Sequence, residues 1–302
     1  MATDPDVGIR RARRDDRKAV VAFTTDTWDR LGGDYVPDAF DRWIDTDGPT
    51  QRTLVATIDD QPVGICQGVL LSAHEAWALG MRVAPDARGR DIGRRLTEAV
   101  FEWAADRGAT VCRNMVFSWN AAGMGQSRAL GFEPLTAFRW LEPTPDADAS
   151  PGLAVETDPA LAWSAFRGSD AFCELSGLGL DLEESWALAE LTPDRLNVAE
   201  MAFAVRDDER SRGMSYRTRT FEREDDGETH RWAEYGVGAW DDVESLRSLA
   251  AAISRDAASV GADRARLLIS ETPRHVSDAA YARIDASEEP DFVFERDLSA
   301  YR

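Results

Sequence analysis

Lysine is almost missing from this chain. Lys18 stands alone, and arginine supplies the rest of the 35 basic residues among 302. Against 55 Asp and Glu this leaves a formal charge of −20, whose long-range field repels nucleic acid and anionic membranes and excludes both as general partners. Two readings of the charge stay open: solubility in concentrated salt, as in halophilic-type acidic proteins, or an acidic groove for a cationic substrate. Cysteine is scarce too. Cys66, Cys112 and Cys173 lie far apart with no CxxC pair, which excludes a disulfide framework and a thiolate metal site and fits a reducing cytoplasm. No uncharged apolar run approaches the roughly 18 residues of a membrane span, and "MATDPDVGIRRARRDD" lacks a signal-type apolar core. What is present is a 43% hydrophobic share with 10 Trp, enough apolar surface for two domains.

The break between them falls in "EPTPDADASPG", Glu142 to Gly152, where three prolines and small acidic residues interrupt all periodicity. The expected division is 1–142, a linker at 143–152, and 153–302. Upstream, "VGIRRAR" reads as a strand. A helix follows with Val20, Phe23, Thr27, Trp28 and Leu31 on one face, ending at Gly32 and Gly33. A shorter helix opens with Pro37 and buries Phe40, Trp43 and Ile44. Then "RTLVATIDDQPVGICQGVLLS" reads as two strands and "EAWALGMRV" as a third. A helix from about Gly93 to Arg107 carries Leu96, Val100 and Trp103 at helical spacing and leads into the strand "TVCRNMVFSW". Two strands joined by one helix imply a right-handed crossover between parallel neighbours. The expected fold is a mixed α+β (α/β) sheet with flanking helices.

That order puts "MRVAPDARGRDIGRRL", Met81 to Leu96, at the carboxyl end of the third antiparallel strand. Amides at the start of the following helix have no partner within it and lie at the positive end of its dipole. Gly89 and Gly93 let backbone approach a ligand, while Arg88, Arg90, Arg94 and Arg95 add positive charge. The turn suits a pyrophosphate.

"VAPDARGRDIGRRL" resembles the acetyl-CoA-binding motif of the GNAT superfamily of N-acetyltransferases, with Arg88 and Gly93 at its ends and Asp91 where the pattern has its first Gly. "NAAGMGQSRALGF", Asn120 to Phe132, resembles the same family's stretch after its fifth strand. Asn120, Gly131 and Phe132 fall in register, and Ser127 stands where the family has a Tyr that protonates the leaving thiolate. The resemblance covers about residues 8 to 142. It implies that the backbone of Met81, Arg82 and Val83 pairs with the pantetheine arm, that Arg88, Gly89, Arg90, Asp91, Ile92, Gly93 and Arg94 hold the pyrophosphate, and that Asn120 orients acetyl-CoA. It implies direct attack by a primary amine, so that the protein aligns reactants, removes a proton and stabilises an oxyanion.

The base stays open between Glu75, which in an unbroken strand shares the face of Val83, and His74, whose intrinsic pKa suits the task. For the acid, Ser127 is a weak donor, so either the thiolate leaves unprotonated or Tyr35 reaches in. No metal is implied. The acceptor is a small-molecule amine or a protein amino group, and the chain is a monomer or homodimer.

The second half echoes the first. "MAFAVRDDERSRGMSYRTRTFEREDDGETHRWAEYGVGAW" reads as three strands, Asp241 caps a helix ending at Gly261, "RARLLIS" follows as a strand, then a helix near Ser277 to Ile284 and a final strand "DFVFERDL". This suggests a tandem duplication. Where the first copy has "DARGRDIGRRL" the second has "AWDDVESLRSL", whose acids repel a pyrophosphate. One cofactor site is therefore expected, in the first half, with the second half walling the acceptor. A non-catalytic acyl-CoA-binding module is the alternative, favoured by Ser127 and Asp91.

Overall fold

A computed structural model describes residues 7–25, 27, 33–225 and 227–301. Trp28, Leu31 and Gly32, placed above on the first helix and its stop, lie outside the described residues. In chain order the first part holds β1 (Val7–Arg11), α1 (Arg17–Thr24), α2 (Val36–Thr46), β2 (Gln51–Ile58), β3 (Gln61–Leu70), β4 (Glu75–Val83), α3 (Ile92–Ala105), β5 (Val111–Phe117), α4 (Ala121–Ala129) and β6 (Glu133–Glu142). The remainder holds β7 (Ala154–Glu156), α5 (Pro159–Gly168), α6 (Asp170–Glu174), β8 (Leu178–Leu180), β9 (Leu188–Glu190), α7 (Pro193–Val198), β10 (Met201–Arg206), β11 (Ser211–Asp225), β12 (Glu228–Tyr235), β13 (Ala239–Trp240), α8 (Val243–Ser259), β14 (Arg264–Ser270), α9 (Pro273–Ala282), β15 (Asp285–Ala286) and β16 (Asp291–Asp297). The mixed α/β fold expected from the sequence is the one observed.

Two compact units form, and they do not follow chain order. The first comprises Met1–Asn114, Gly125–Glu133 and Phe294–Arg302; the second comprises Met115–Met124 and Pro134–Val293. The proline-rich stretch at 143–152 thus interrupts the sequence pattern without separating the units, because each unit takes a strand segment from the other half of the chain. In the first, Leu298 N–H donates to Thr110 C=O at 2.8 Å, and the Tyr301 ring meets Phe101 edge-on at 5.6 Å.

The first unit's sheet runs β1-β2-β3-β4 antiparallel and then β4-β5 parallel. Alternation along β3 sends neighbouring residues to opposite faces. Ile65 joins Val20, Phe40, Trp43 and Val55 under α1 and α2. Gly64 and Gly68 face α3, whose Ile92, Leu96, Val100 and Trp103 press so close that a β-carbon at either glycine would lie 3.0 Å or less from them.

The second unit's sheet runs β7-β10-β11-β12-β14-β6, parallel only between β12 and β14. Its core sets Leu246, Leu249, Ile253 and Ala257 of α8 against Phe203, Val205, Ala233, Tyr235 and Leu267. Residues 153–200, unread in the sequence, supply helices α5 to α7 and the small β8-β9 pair. The helix expected near Ser277 to Ile284 starts earlier, because Thr272 caps the His275 amide and Pro273 fits the first turn. Among the described residues no helix is long and apolar enough to cross a membrane.

Candidate cofactor and active site

β4 is not an unbroken strand. Its register against β3 passes from Gln67–Leu79 to Ile65–Arg82, so Cys66 alone faces the two residues Gly80 and Met81. This is a bulge. Gly80 makes it possible: its φ is +64°, and a β-carbon there would lie 2.3 Å from the Trp43 ring. The extra residue shifts the alternation that would have set Glu75 and Val83 on one face, which corrects the premise of the sequence reading.

β4 also parts from β5. Their pairing covers only Glu75–Val111, Ala76–Cys112 and Trp77–Arg113, while β4 continues to Val83. From Ala78 onward its outer edge has no paired strand among the described residues. Ala84 N–H donates inward to Val63 C=O at 2.8 Å, so alternation turns the Val83 N–H and C=O to the open edge. The Met81 carbonyl accepts from Arg82 Nη1 at 3.0 Å.

Beyond β4 comes the arginine turn. Arg88, Gly89 and Arg90 are exposed. Asp91 takes the left-handed position before α3, with φ +60°, a conformation that glycine adopts freely and that Asp tolerates better than most residues. Its carboxylate caps nothing in the helix. It accepts from Arg94 Nε at 2.6 Å, and Arg94 also reaches Glu98 at 2.7 Å. The Arg94 bond holds the Asp91 carboxyl below the usual carboxylate range, and both side chains lie along the exposed surface. The first intrahelical bond is Arg95 N–H to Asp91 C=O at 3.1 Å. The amides of Ile92, Gly93 and Arg94 therefore stand ahead of the helix ladder, with no side-chain cap. Ile92 anchors the turn, with its side chain 2% exposed. Gly93 packs against Gln126 of α4, whose Nε2 would meet a β-carbon at 2.3 Å.

The structure distributes the catalytic candidates unevenly. Glu75 is 1% exposed and accepts from Arg113 Nη1 at 2.6 Å; Arg113 Nε binds Glu295 at 2.7 Å. His74 is exposed, with Nδ1 3.3 Å from Ser72 Oγ. Glu75 opens β4 and His74 just precedes it, six and seven residues before Met81, or about 20 Å along a strand. Ser127 is 4% exposed and accepts from Asn114 Nδ2 at 3.0 Å. Asn120 caps α4, its Oδ1 accepting from Gly123 N–H at 2.9 Å.

Tyr35 is the candidate beside the bulge. Its ring lies 5.6 Å from the Arg82 guanidinium and edge-on to Trp43 at 6.0 Å. Buried Asp34 secures this arrangement by accepting from Arg82 Nε at 2.6 Å and Nη2 at 3.2 Å. Asp34 and Gln126 are contributors that sequence reasoning missed; neither sits in a pattern that announces it. Cys66, opposite the bulge, is no nucleophile, since burial pushes its thiol up to about 12.

The second unit treats the corresponding places differently. Asp242, rather than the expected Asp241, caps α8 by accepting from Ser245 N–H at 3.0 Å; Asp241 instead pairs with Arg210 at 2.7 Å. After β12 the chain stays joined to β14, as Gly238 N–H donates to Leu268 C=O at 2.8 Å. The buried Tyr216 fills the space at Gly236, and its hydroxyl donates to Leu180 C=O at 2.8 Å.

A mixed sheet with a bulged fourth strand, a parted parallel fifth and an uncapped, arginine-flanked helix between them places this part of the chain among mixed α/β proteins. Residues 18–132 match the acetyltransferase (GNAT) family, and this part of the chain is a GNAT domain. Likeness to solved structures extends over nearly the whole length. A GCN5-related N-acetyltransferase from Sphaerobacter thermophilus is 13% identical with a TM-score of 0.60, covering 98% of this chain and 97% of that one. Another from Kribbella flavida is 16% identical with a TM-score of 0.50, covering 98% and 72%.

Proposed function

We propose that this chain transfers an acetyl group from acetyl-CoA directly to a primary amine of a small molecule or protein, using one cofactor site built by its first half. The observation that carries this reading is the conjunction of the open β4 edge with the uncapped start of α3. The open edge of β4, where the Val83 N–H and C=O turn outward beside Met81 and Arg82, suits an amide-bearing pantetheine arm. The free amides of Ile92, Gly93 and Arg94, with Arg88 and Arg90 alongside, suit a pyrophosphate. The outward turn of Asp91 toward Arg94 lessens the electrostatic objection to its position.

Acetyl-CoA, when bound, supplies an activated thioester. This chain's residues then have three tasks. The β4 backbone orients the acetyl carbonyl and donates to its oxygen as negative charge develops there. The Asp34–Arg82 pair fixes the strand at Met81 and places Tyr35 beside it. A carboxylate or imidazole takes the amine proton directly or through water, with Glu75 and His74 as the groups tied to β4. No covalent intermediate on the protein is needed, in keeping with the inert Cys66.

The halves read as a tandem pair, 1–142 and 153–302, with the second copy lacking a cofactor site. Self-capping of α8 by Asp242 and the closed junction at Gly238 support that assignment. Three free cysteines fit a cytoplasmic protein. Calorimetric titration of acetyl-CoA at high salt tests the reading. One equivalent binds the wild type and none binds Gly93→Glu, whose side chain collides with Gln126 and repels phosphate; an amine screen then releases free CoA. Two equivalents, or none, refute it. The buried Ser127 favours a second reading, an acyl-CoA-binding module without turnover, which is distinguished by binding that persists while every amine fails.

A further inference from the structure

The family resemblance gives position 127 the task of meeting the leaving sulfur, yet Ser127 is 4% exposed and held by Asn114. Its neighbour on α4 points elsewhere. Gln126 is half-buried, and its carboxamide lies between the two parts of the proposed cofactor site. On one side it touches Gly93 at the start of α3. On the other, Nε2 approaches the Met81 sulfur at 3.5 Å, on the first residue of β4 after Gly80. The amide thus links the start of α3 with Met81, the two places given above to the pyrophosphate and the pantetheine arm.

The chemistry of that contact is informative. A primary carboxamide carries two N–H donors, and a thioether is a weak acceptor. Gln126 thus already directs a donor at sulfur, and a thiolate is a far stronger acceptor than a thioether because it is charged.

We propose that Gln126 donates a hydrogen bond to the sulfur of CoA as it departs, so that the thiolate leaves stabilised rather than protonated. This rests on the acetyltransferase reading and deepens it. The amine nitrogen forms its bond to the acetyl carbon, the carbon–sulfur bond breaks, and its electron pair stays on sulfur. The amine proton goes to the base or to water. Gln126 keeps its own protons throughout and acts only as a donor.

The test uses the full-length protein and free CoA, with no acceptor required. Calorimetry gives CoA binding, and ultraviolet absorbance of the thiolate during a pH titration, corrected with CoA-free protein, gives the ionisation of the bound thiol. Gln126→Leu keeps the bulk and removes the donors; Gln126→Glu keeps the shape with acceptors in their place. A hydrogen bond to a charged acceptor predicts that the thiol ionises about one pH unit lower on wild type than on Gln126→Leu, and higher still on Gln126→Glu. CoA affinity falls no more than about threefold in Gln126→Leu, because a neutral thiol is a weak acceptor. With an active amine, kcat falls about tenfold or more while the KM for acetyl-CoA holds. Equal thiol ionisation on wild type and Gln126→Leu, with CoA bound to both, overturns this inference and leaves the acetyltransferase reading standing. Absence of CoA binding by the wild type overturns both. Far-ultraviolet circular dichroism confirms that each variant is folded.

Discussion

Gly80→Ala isolates the bulge of β4, the strand proposed to hold the cofactor. Two separate costs follow from the geometry. The backbone holds φ at +64°, where any residue with a β-carbon loses about 1–2 kcal/mol. The new methyl also falls 2.3 Å from the Trp43 ring. That ring is 2% exposed and has no solvent to swing into, so overpacking adds about 1–3 kcal/mol. The sum is a loss of roughly 2–5 kcal/mol. Urea unfolding at fixed high salt measures it, as a fall in midpoint with an unchanged slope.

A double-mutant cycle separates the two costs. In a Trp43→Phe background the collision is largely relieved, and Gly80→Ala then costs only the backbone share of about 1–2 kcal/mol. Acetyl-CoA affinity falls in both backgrounds, because regularising β4 moves Met81 out of place. A loss below about 0.5 kcal/mol for Gly80→Ala, within the range of an ordinary surface change, refutes the strained-bulge account. Equal losses in the two backgrounds refute the role given to Trp43.

Glu75→Ala strands Arg113 in a buried site with Glu295 as its remaining partner, and the expected cost is about 3 kcal/mol by urea unfolding; a change under about 1 kcal/mol would show that the ion pair is not structural. Asp91→Gly removes a negative charge beside the proposed pyrophosphate site while keeping the left-handed backbone, and calorimetry then finds acetyl-CoA bound about threefold or more tighter; weaker binding would mean that the Asp91–Arg94 pair shapes the turn. Burial raises the Asp291 carboxyl to about 7 from 3.8. The folded chain therefore holds this proton over a range where the unfolded chain has lost it, and the stabilisation present below the lower value disappears as pH rises through the upper one. Relative to wild type, Asp291→Asn gains roughly 4 kcal/mol on going from acid to mildly alkaline pH. Parallel stability profiles across that range would place the Asp291 titration elsewhere.

The order of strands and helices around the site was legible because period and punctuation agree there. Alternation marks β2 to β4, the threefold and fourfold spacing of Leu96, Val100 and Trp103 marks α3, and Gly108 marks the turn that follows it. The turn at 88–93 was legible because charge and glycine coincide. Three features were not. Gly80 lies within a run that reads as continuous strand, and only the Trp43 ring, brought there by α2, shows why a glycine is required. Asp34 and Gln126 matter through partners 48 and 45 residues away, which no local pattern encodes. Ser127, at the position where the resembled family has a Tyr, turns inward and accepts from Asn114, a partner the sequence did not announce.

The exchange of strand segments sets an order of events during synthesis. Residues Phe294–Arg302 complete the unit that carries the proposed acetyl-CoA turn, supplying Glu295 to Arg113 and Tyr301 to Phe101. A nascent chain that has displayed both halves of the motif still lacks this edge until residues 294–302 have been made. Domains commonly fold one after another from the amino terminus. Here the unit that begins the chain waits for residues 294–302, so a product that stops before Asp291 keeps every proposed cofactor contact but loses the strand that closes the unit.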